Sequence, residues 1–401
     1  MDFLTVILGT DINAYGVARS VFERYGKKSL CLGVKPLNPT RNSKITDVEV
    51  TENFDVDQTV FLNKLEEVAK RFSDKNLLLI PCSDGYVAFV SENKNFLKKY
   101  YKFNIVDFSV QKKLENKKDF YEICKKYNLD YPKTYIFNKD NFNEINKDME
   151  FPIVLKPNDS ISYLHVHFEG KKKAYTLSSL EEYFVISEKI YKAGYDGEII
   201  IQEYIPGDAT TMYVLNTYSD RNAKVKMMCL GKCLLDECLP TMIGNYNALL
   251  STGNKDIYEK YRNFLEKINY TGFADFDFKW DYRDKKFKVF EINLRQGRSS
   301  FYTTNSGCNF MKFIVEDLIE EKENEIYLNY NEKLWLYVDP YVLKNYVAPK
   351  DREYVKKLLK EGFTFTEWYK KDISIKRFLN YMKRRVSTIK YYPKYEKERL
   401  K

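Results

Sequence analysis

Between Asp277 and Arg295 the chain brings oxygen donors and cations into one short stretch. Successive side chains of a β-strand point to opposite faces. In Phe276-Asp277-Phe278-Lys279-Trp280 the aromatics share one face, and Asp277 and Lys279 share the other. In Phe290-Glu291-Ile292-Asn293-Leu294-Arg295 the apolar residues again share one face, opposite Glu291, Asn293 and Arg295. Asp281 to Lys285 lies between and can turn, so the two strands can pair as a hairpin with both apolar faces on one core. Asp277, Glu291 and Asn293 then converge beside Lys279 and Arg295. Three oxygen donors on rigid strands suit a hard cation such as Mg²⁺, which combines carboxylates with phosphate oxygens. Arg295 and Arg298 can grip a phosphate or a carboxylate with two parallel hydrogen bonds. A solvated polar hairpin face is the plainer alternative. The continuation into Gln296-Gly297-Arg298-Ser299-Ser300 favours the functional one.

Two further elements carry weaker signals. Ile153-Val154-Leu155-Lys156-Pro157 ends an apolar strand on a lone lysine. A charge there is costly without an anion, and a phosphate would serve, although a lysine emerging into solvent reads the same way. Ile199 to Asp208 runs from an apolar strand into Gln202-Glu203-Tyr204-Ile205-Pro206-Gly207-Asp208. Backbone groups at such a strand end can read an adenine edge, and an acid can hold ribose hydroxyls. Ordinary strand ends look similar.

The elements that must position these residues follow from the apolar pattern. Phe3 to Leu8, a helix from about Gly16 to Tyr25, and Ser29 to Leu32 form a β-α-β opening. Alternation continues through a helix near 57–71 and the strand Leu77-Leu78-Leu79-Ile80, describing a small doubly wound domain over about residues 1–110. The turn lacks G-x-G-x-x-G, so Gly9 and Gly16 read as turn glycines rather than a nucleotide site. A helix is expected over Leu114 to Tyr127. From Pro152 strands dominate, with helices near 178–194 and 255–268, which implies an α+β region over about 111–325. The remainder, 326–401, is a basic helical extension with helical patterns near 351–361 and 373–384.

The 401 residues carry a formal net charge of +9. No helix offers a base-reading face, so nucleic acid is disfavoured. No apolar run reaches the roughly 20 residues of a membrane helix, and the N-terminus reads as a buried strand rather than a signal peptide. The expected location is the cytoplasm. The seven cysteines are scattered without Cys-x-x-Cys, which favours reduced, packed thiols over a zinc site. His165 and His167 are the only histidines, which leaves little for a histidine-based triad or metal cage. The basic C-terminal segment reads first as solvated helices, with weak docking to an anionic membrane surface as the alternative.

In this order the motifs Val154-Leu155-Lys156-Pro157, Gln202 to Asp208 and Phe290 to Arg295 resemble the ATP-grasp superfamily. The resemblance covers roughly residues 1–325. It implies a doubly wound N-terminal domain, a lid at about 135–205 and a C-terminal α+β domain, with ATP and Mg²⁺ as cofactors. By this resemblance Lys117 and Lys156 hold ATP phosphates, Gln202 and Glu203 lie at the adenine hinge, and Asp208 lies near the ribose. Asp277, Glu291 and Asn293 bind Mg²⁺, Arg295 steadies the transferred phosphate, and Arg298 meets a substrate carboxylate. The string Glu291-Ile-Asn-Leu-Arg-Gln-Gly-Arg-Ser-Ser, with Asn128-Leu-Asp-Tyr-Pro-Lys-Thr-Tyr and Phe168-Glu-Gly-Lys-Lys-Lys-Ala-Tyr, is similar to the D-aspartate ligase group. These enzymes join a D-amino acid to the lysine of a UDP-MurNAc-pentapeptide, a peptidoglycan precursor. Three departures stand out. The loop Asn158-Asp159-Ser160-Ile161-Ser162 has no glycine, Leu294 replaces a frequent proline, and Asn116 stands where an acid often precedes the helix lysine.

The implied function is an ATP-dependent carboxylate–amine ligase acting on a small amino acid and an amine acceptor, the latter a nucleotide-linked peptide. An ATP-grasp ligase of different substrate, and a non-catalytic ATP-binding module, are the alternatives. Acceptor-dependent ADP release separates them.

Overall fold

A computed structural model describes residues 2–146, 149–159, 162–163, 165–239 and 242–399, with only the backbone for 397–399. Ser160 and Ile161 of the loop noted above, and Leu400 and Lys401 of the basic C-terminus, lie outside them. Two compact units emerge. The first joins Met1–Gln111, Asp208–Asp277 and Ile292–Lys401, and the second joins Lys112–Gly207 to Phe278–Glu291.

In the first unit, β1 (Phe3–Leu8), β2 (Ser29–Gly33), β3 (Thr46–Val50), β4 (Asn76–Pro81) and β5 (Tyr101–Lys102) form a parallel sheet in the order β3-β2-β1-β4-β5. This is the doubly wound arrangement that the sequence implies. The first helix begins earlier than its pattern suggests, at Ile12, because the Asp11 side chain accepts the Ala14 N–H and caps it. It stops at Gly26, whose φ of 66° is the left-handed cap that glycine accepts without strain.

The second unit holds β6 (Thr134–Phe137), β7 (Ile153–Pro157), β8 (Tyr175–Leu177) and β9 (Ile199–Glu203), antiparallel in the order β6-β9-β7-β8. Ile153 and Leu155 of β7 face a core with Ile199, Ile201 and Tyr183. Period two then turns Val154 and Lys156 to the opposite face. The helix expected over 114–127 is two helices, Phe108–Glu115 and Lys117–Lys126. Asn116 interrupts them because its side chain accepts the Asp119 N–H as an N-cap, which accounts for an amide at that position.

A third sheet contains β10 (Met212–Ser219), β11 (Val225–Asp236), β12 (Tyr246–Thr252), β13 (Gly272–Asp281), β14 (Lys286–Asn293), β15 (Tyr327–Leu328), β16 (Leu334–Leu336) and β17 (Phe363–Phe365). Its order is β14-β13-β10-β11-β12-β16-β17, with β15 on β11. Along the chain, β13 and β14 each run from one unit into the other. The sequence reading passed over β12 and β15 to β17.

The C-terminal extension is integral to the first unit. The Asp372 side chain accepts hydrogen bonds from Tyr15, Ser43 and the Lys44 N–H, and pairs with Arg377. Arg19 donates to the carbonyls of Phe365, Thr366 and Trp368. The last helix runs from Ile375 to Arg399, well past the 384 that periodicity indicated, and continues through Pro393. Buried Tyr392, packed with Val342 and Leu343, anchors the added turns. Among the described residues no helix is long and apolar enough to cross a membrane, and all seven cysteines are buried free thiols.

Candidate active site

The second unit presents two lysines in one field. Lys156 projects from β7 on the face opposite the core. Lys117, at the start of the helix Lys117–Lys126, donates from Nζ to the Asn158 carbonyl at 3.4 Å. Burial, then the nearby Lys117 charge, push the Lys156 ammonium down to about 8, against a restoring pull from Glu291. Burial likewise lowers Lys117, again opposed by Glu291. Among the described residues Lys156 makes no ion pair. Two cations in one field with one exposed carboxylate nearby are chemistry that an anion with more than one charge would complement.

The strand end at Gln202 and Glu203 is structurally engaged. Gln202 Nε2 donates to Thr134 Oγ1 at 2.8 Å. Glu203 accepts the Lys133 N–H (2.9 Å) and Lys288 Nζ (2.8 Å), and pairs with Arg283 at 3.0 Å. Burial raises its pKa, but these donors outweigh burial and leave it below the usual range. Any part that Glu203 plays at a hinge therefore falls to its backbone rather than its carboxylate. Asp281, which the sequence suggested only as part of a turn, is a buried hub instead. It is fully enclosed and receives Arg283 Nε at 2.8 Å and Lys288 Nζ at 2.9 Å.

In the first unit Asp277 is almost buried. Its carboxylate accepts the Tyr246 hydroxyl and Asn293 Nδ2 (3.3 Å). Asn293, with its amide nitrogen turned to Asp277, keeps its carbonyl oxygen for another partner. Glu291 lies two residues earlier on β14 and is exposed. The Asp277 carboxylate and the Asn293 amide oxygen are part of the donor chemistry of magnesium, which draws further ligands from water and phosphate. Among the described residues no group of three His, Cys, Asp or Glu side chains is arranged to hold a metal by itself.

Arg295 is gripped by Asp84 through Nε (2.7 Å) and Nη2 (3.1 Å), and Nη1 donates to the Gln296 carbonyl. Gln296 is itself held, since Nε2 donates to Pro81 O at 3.1 Å and its carbonyl accepts Asn13 Nδ2 at 2.9 Å. A Cβ on Gly297 would fall 2.4 Å from Asp275 Oδ2, so a side chain there would have to displace the Asp275 carboxylate, which accepts Asn216 Nδ2. Arg298 donates to Tyr246 O (2.8 Å) and Asn247 Oδ1 (3.3 Å), and lies 4.1 Å from the Tyr337 ring centre. Arg384, from the last helix, covers the same ring at 4.6 Å and pairs with Glu367. Arg298 Nε and Nη1 and Arg384 Nε are buried with no partner among the described residues. Asp208 pairs with Lys350 at 3.1 Å and caps Thr210.

Sequence reasoning missed Asp84, Tyr246, Tyr337 and Arg384. Asp84 carries a signal in the sequence, since Pro81-Cys82-Ser83-Asp84-Gly85 breaks the apolar pattern that ends β4. Arg384 was read as part of a basic tail.

No protein-family model matches the chain. A D-aspartate ligase of Enterococcus faecium (strain Aus0004) is 44% identical over 392 residues, covering 94% of this chain and 93% of that protein. Among solved structures, an L-amino acid ligase from Bacillus licheniformis aligns with a TM-score of 0.58 at 16% identity, over 82% of this chain and 78% of that one. A biotin carboxylase from Campylobacter jejuni, in a β,γ-ATP complex, aligns with a TM-score of 0.60 at 15% identity, over 83% and 75%. N5-carboxyaminoimidazole ribonucleotide synthetase in complex with ADP aligns with a TM-score of 0.58 at 13% identity, over 82% and 79%. The fold is that of the ATP-grasp enzymes, and the chain is an ATP-dependent carboxylate–amine ligase. Within that class it belongs to the D-aspartate ligase family.

Proposed function

We propose that this enzyme activates the β-carboxylate of D-aspartate with ATP and joins it to the side-chain amine of the lysine in UDP-MurNAc-pentapeptide. The observation that carries the donor is the similarity to a D-aspartate ligase along 94% of the chain. A nucleotide-linked peptide is anionic, and the net charge of +9 favours its approach. The site of action is the cytoplasm.

The chemistry has two steps. A carboxylate oxygen attacks the γ-phosphorus, the bond to the bridging oxygen breaks, and ADP leaves with an acyl phosphate formed. A neutral amine then attacks the acyl carbon, inorganic phosphate departs, and the amine gives up a proton. Lys117 and Lys156 hold the phosphates, and Asp277, Glu291 and Asn293 hold magnesium, which when bound draws charge from the phosphoryl oxygens. Gln202, Glu203 and Asp208 border the nucleoside. Arg295, aligned by Asp84, steadies the transferring phosphoryl group. Arg298 holds the α-carboxylate that is not phosphorylated, aided by Arg384. That second anchor would distinguish aspartate from donors with one carboxylate. Lid residues about 135–205 would exclude the water that hydrolyses an acyl phosphate.

The test is mass spectrometry with ATP, Mg²⁺, D- or L-amino acids and UDP-MurNAc-pentapeptide. An aspartyl mass gain with D-aspartate alone is expected. Gain with another amino acid, and none with D-aspartate, refutes the donor. Gain only on a different amine refutes the acceptor.

A further inference from the structure

The last helix, Ile375–Arg399, has an outer face that the ligase reaction does not use. Ile375 is 81% exposed, Phe378 42%, Leu379 59%, Met382 36% and Val386 45%. At 3.6 residues per turn these five fall in one stripe roughly 100° wide. Lys376, Lys383, Lys390 and Lys394, all exposed, fall in a row directly beside it, within roughly 40° of helix circumference. From Ile375 to Tyr395 the helix contains no Asp or Glu. The opposite face is the packed one, with Arg377, Tyr381, Thr388 and Tyr392 buried.

The patch continues beyond the helix. A groove of about 710 Å³ is lined in part by Phe378 and Met382 and extends to Phe363, Lys370 and Lys371. Phe363 is 39% exposed. A contiguous apolar stripe bordered by cations is not what solvation selects, since scattered single apolar residues are the norm on a free surface. The sequence alone favoured solvated helices here. The segregation of apolar and basic residues on one exposed face argues the other way.

The geometry points to the anionic surface of a phospholipid bilayer as the occupant of this face. An apolar stripe lies in the boundary between headgroups and acyl chains, and the neighbouring lysine row meets anionic headgroups. A second copy of the chain fits less well. A two-fold contact is self-complementary, so it would bring lysine rows together with no acid from residues 375–395 of either helix between them. The surface is peripheral, and it would hold the enzyme at a membrane without inserting it.

The test is vesicle sedimentation of the full-length enzyme. It should pellet with vesicles of phosphatidylcholine containing about one-third phosphatidylglycerol, and not with pure phosphatidylcholine. Two variants separate the apolar and charged parts, and both change only exposed positions. Ile375→Glu/Leu379→Glu/Val386→Glu and Lys376→Glu/Lys383→Glu/Lys390→Glu should each lower partitioning at least about tenfold. ADP release with soluble substrates should be unchanged, because none of these residues belongs to the site. Absence of wild-type partitioning, or partitioning of both variants as strong as that of the wild type, overturns the inference. So does light scattering that shows a wild-type dimer made monomeric by the apolar variant, since the face would then join two copies.

Discussion

Lys156 offers a sharp test because its proton and its proposed ligand are coupled. In the free chain its pKa is lowered from 10.5 to about 8, first by burial and then by Lys117. That drop corresponds to roughly 3 kcal/mol against the charged form. A polyphosphate beside Lys156 would restore the ammonium and carry its pKa well above 9. Nucleotide binding should then take up about half a proton at pH 8, and about 0.03 at pH 6.5. The dissociation constant should rise about fivefold between pH 8 and pH 9, as the free lysine loses its proton. Stability moves the other way. The unfolded lysine keeps its proton to a higher pH than the folded one, so the penalty is complete below about pH 8 and relieved between 8 and 10.5. Titration calorimetry of a non-hydrolysable ATP analogue, in buffers of different ionisation enthalpy, measures the uptake. Lys156→Met should abolish it and flatten the affinity profile. Equal uptake by wild type and Lys156→Met would refute the placement of this lysine on phosphate.

Four other perturbations follow from the geometry. Asp84→Ala removes both hydrogen bonds that orient Arg295, so kcat for ADP release should fall at least about tenfold with little change in the KM for ATP. Tyr246→Phe removes the hydroxyl that Asp277 accepts, and magnesium titrations of activity should shift several-fold to higher concentration. Asp281→Ala leaves Lys288 and Arg283 without their buried partner. Urea unfolding should show a loss of about 3 kcal/mol. The Arg283 hydrogen bonds hold Asp281 well below the usual carboxylate range, so its wild-type contribution is present above about pH 4 and fades as acid protonates it. Arg384→Met should raise the KM for D-aspartate about tenfold and leave the KM for ATP alone. A rise confined to the peptide acceptor would instead assign Arg384 to that substrate.

What the sequence revealed and what it hid divide along separation in the chain. Asp277 and Asn293 were legible together because period two and a short turn are local rules, and the two side chains do hydrogen-bond. Lys156 was legible because a charge ending an apolar strand is an anomaly that needs an explanation. The pairing of Asp84 with Arg295 was not, because nothing local links a helix start after β4 to a loop after β14, and only the packing of Gln296 against Pro81 brings the two together. Asp281 was misread for a different reason. Asp-Tyr-Arg-Asp-Lys looks like turn chemistry, and only burial reveals that its first residue anchors two cations. The last helix escaped in part because its helical pattern fades near 384, whereas tertiary packing of Tyr392 carries the helix on through Pro393.

The charges of the free chain carry their own argument. Lys117 and Lys156 sit in one field, and Arg298 and Arg384 both stack on Tyr337. Burial disfavours the charged form at Lys117, Lys156 and Arg298, and at Lys156 and Arg298 the neighbouring cation adds to it. A fold selected only for stability would have moved these cations apart or paired them fully, as it does with Asp281, Arg283 and Lys288. Lys117, Lys156 and Arg298, which form no ion pair among the described residues, fall on positions that the ATP-grasp motifs name, while the paired triad does not, and the proposed reaction of two anionic substrates would account for that. In the proposed reaction each substrate would bring the counter-charge that the protein leaves out, and binding energy would be recovered at the points where the reacting groups must be held.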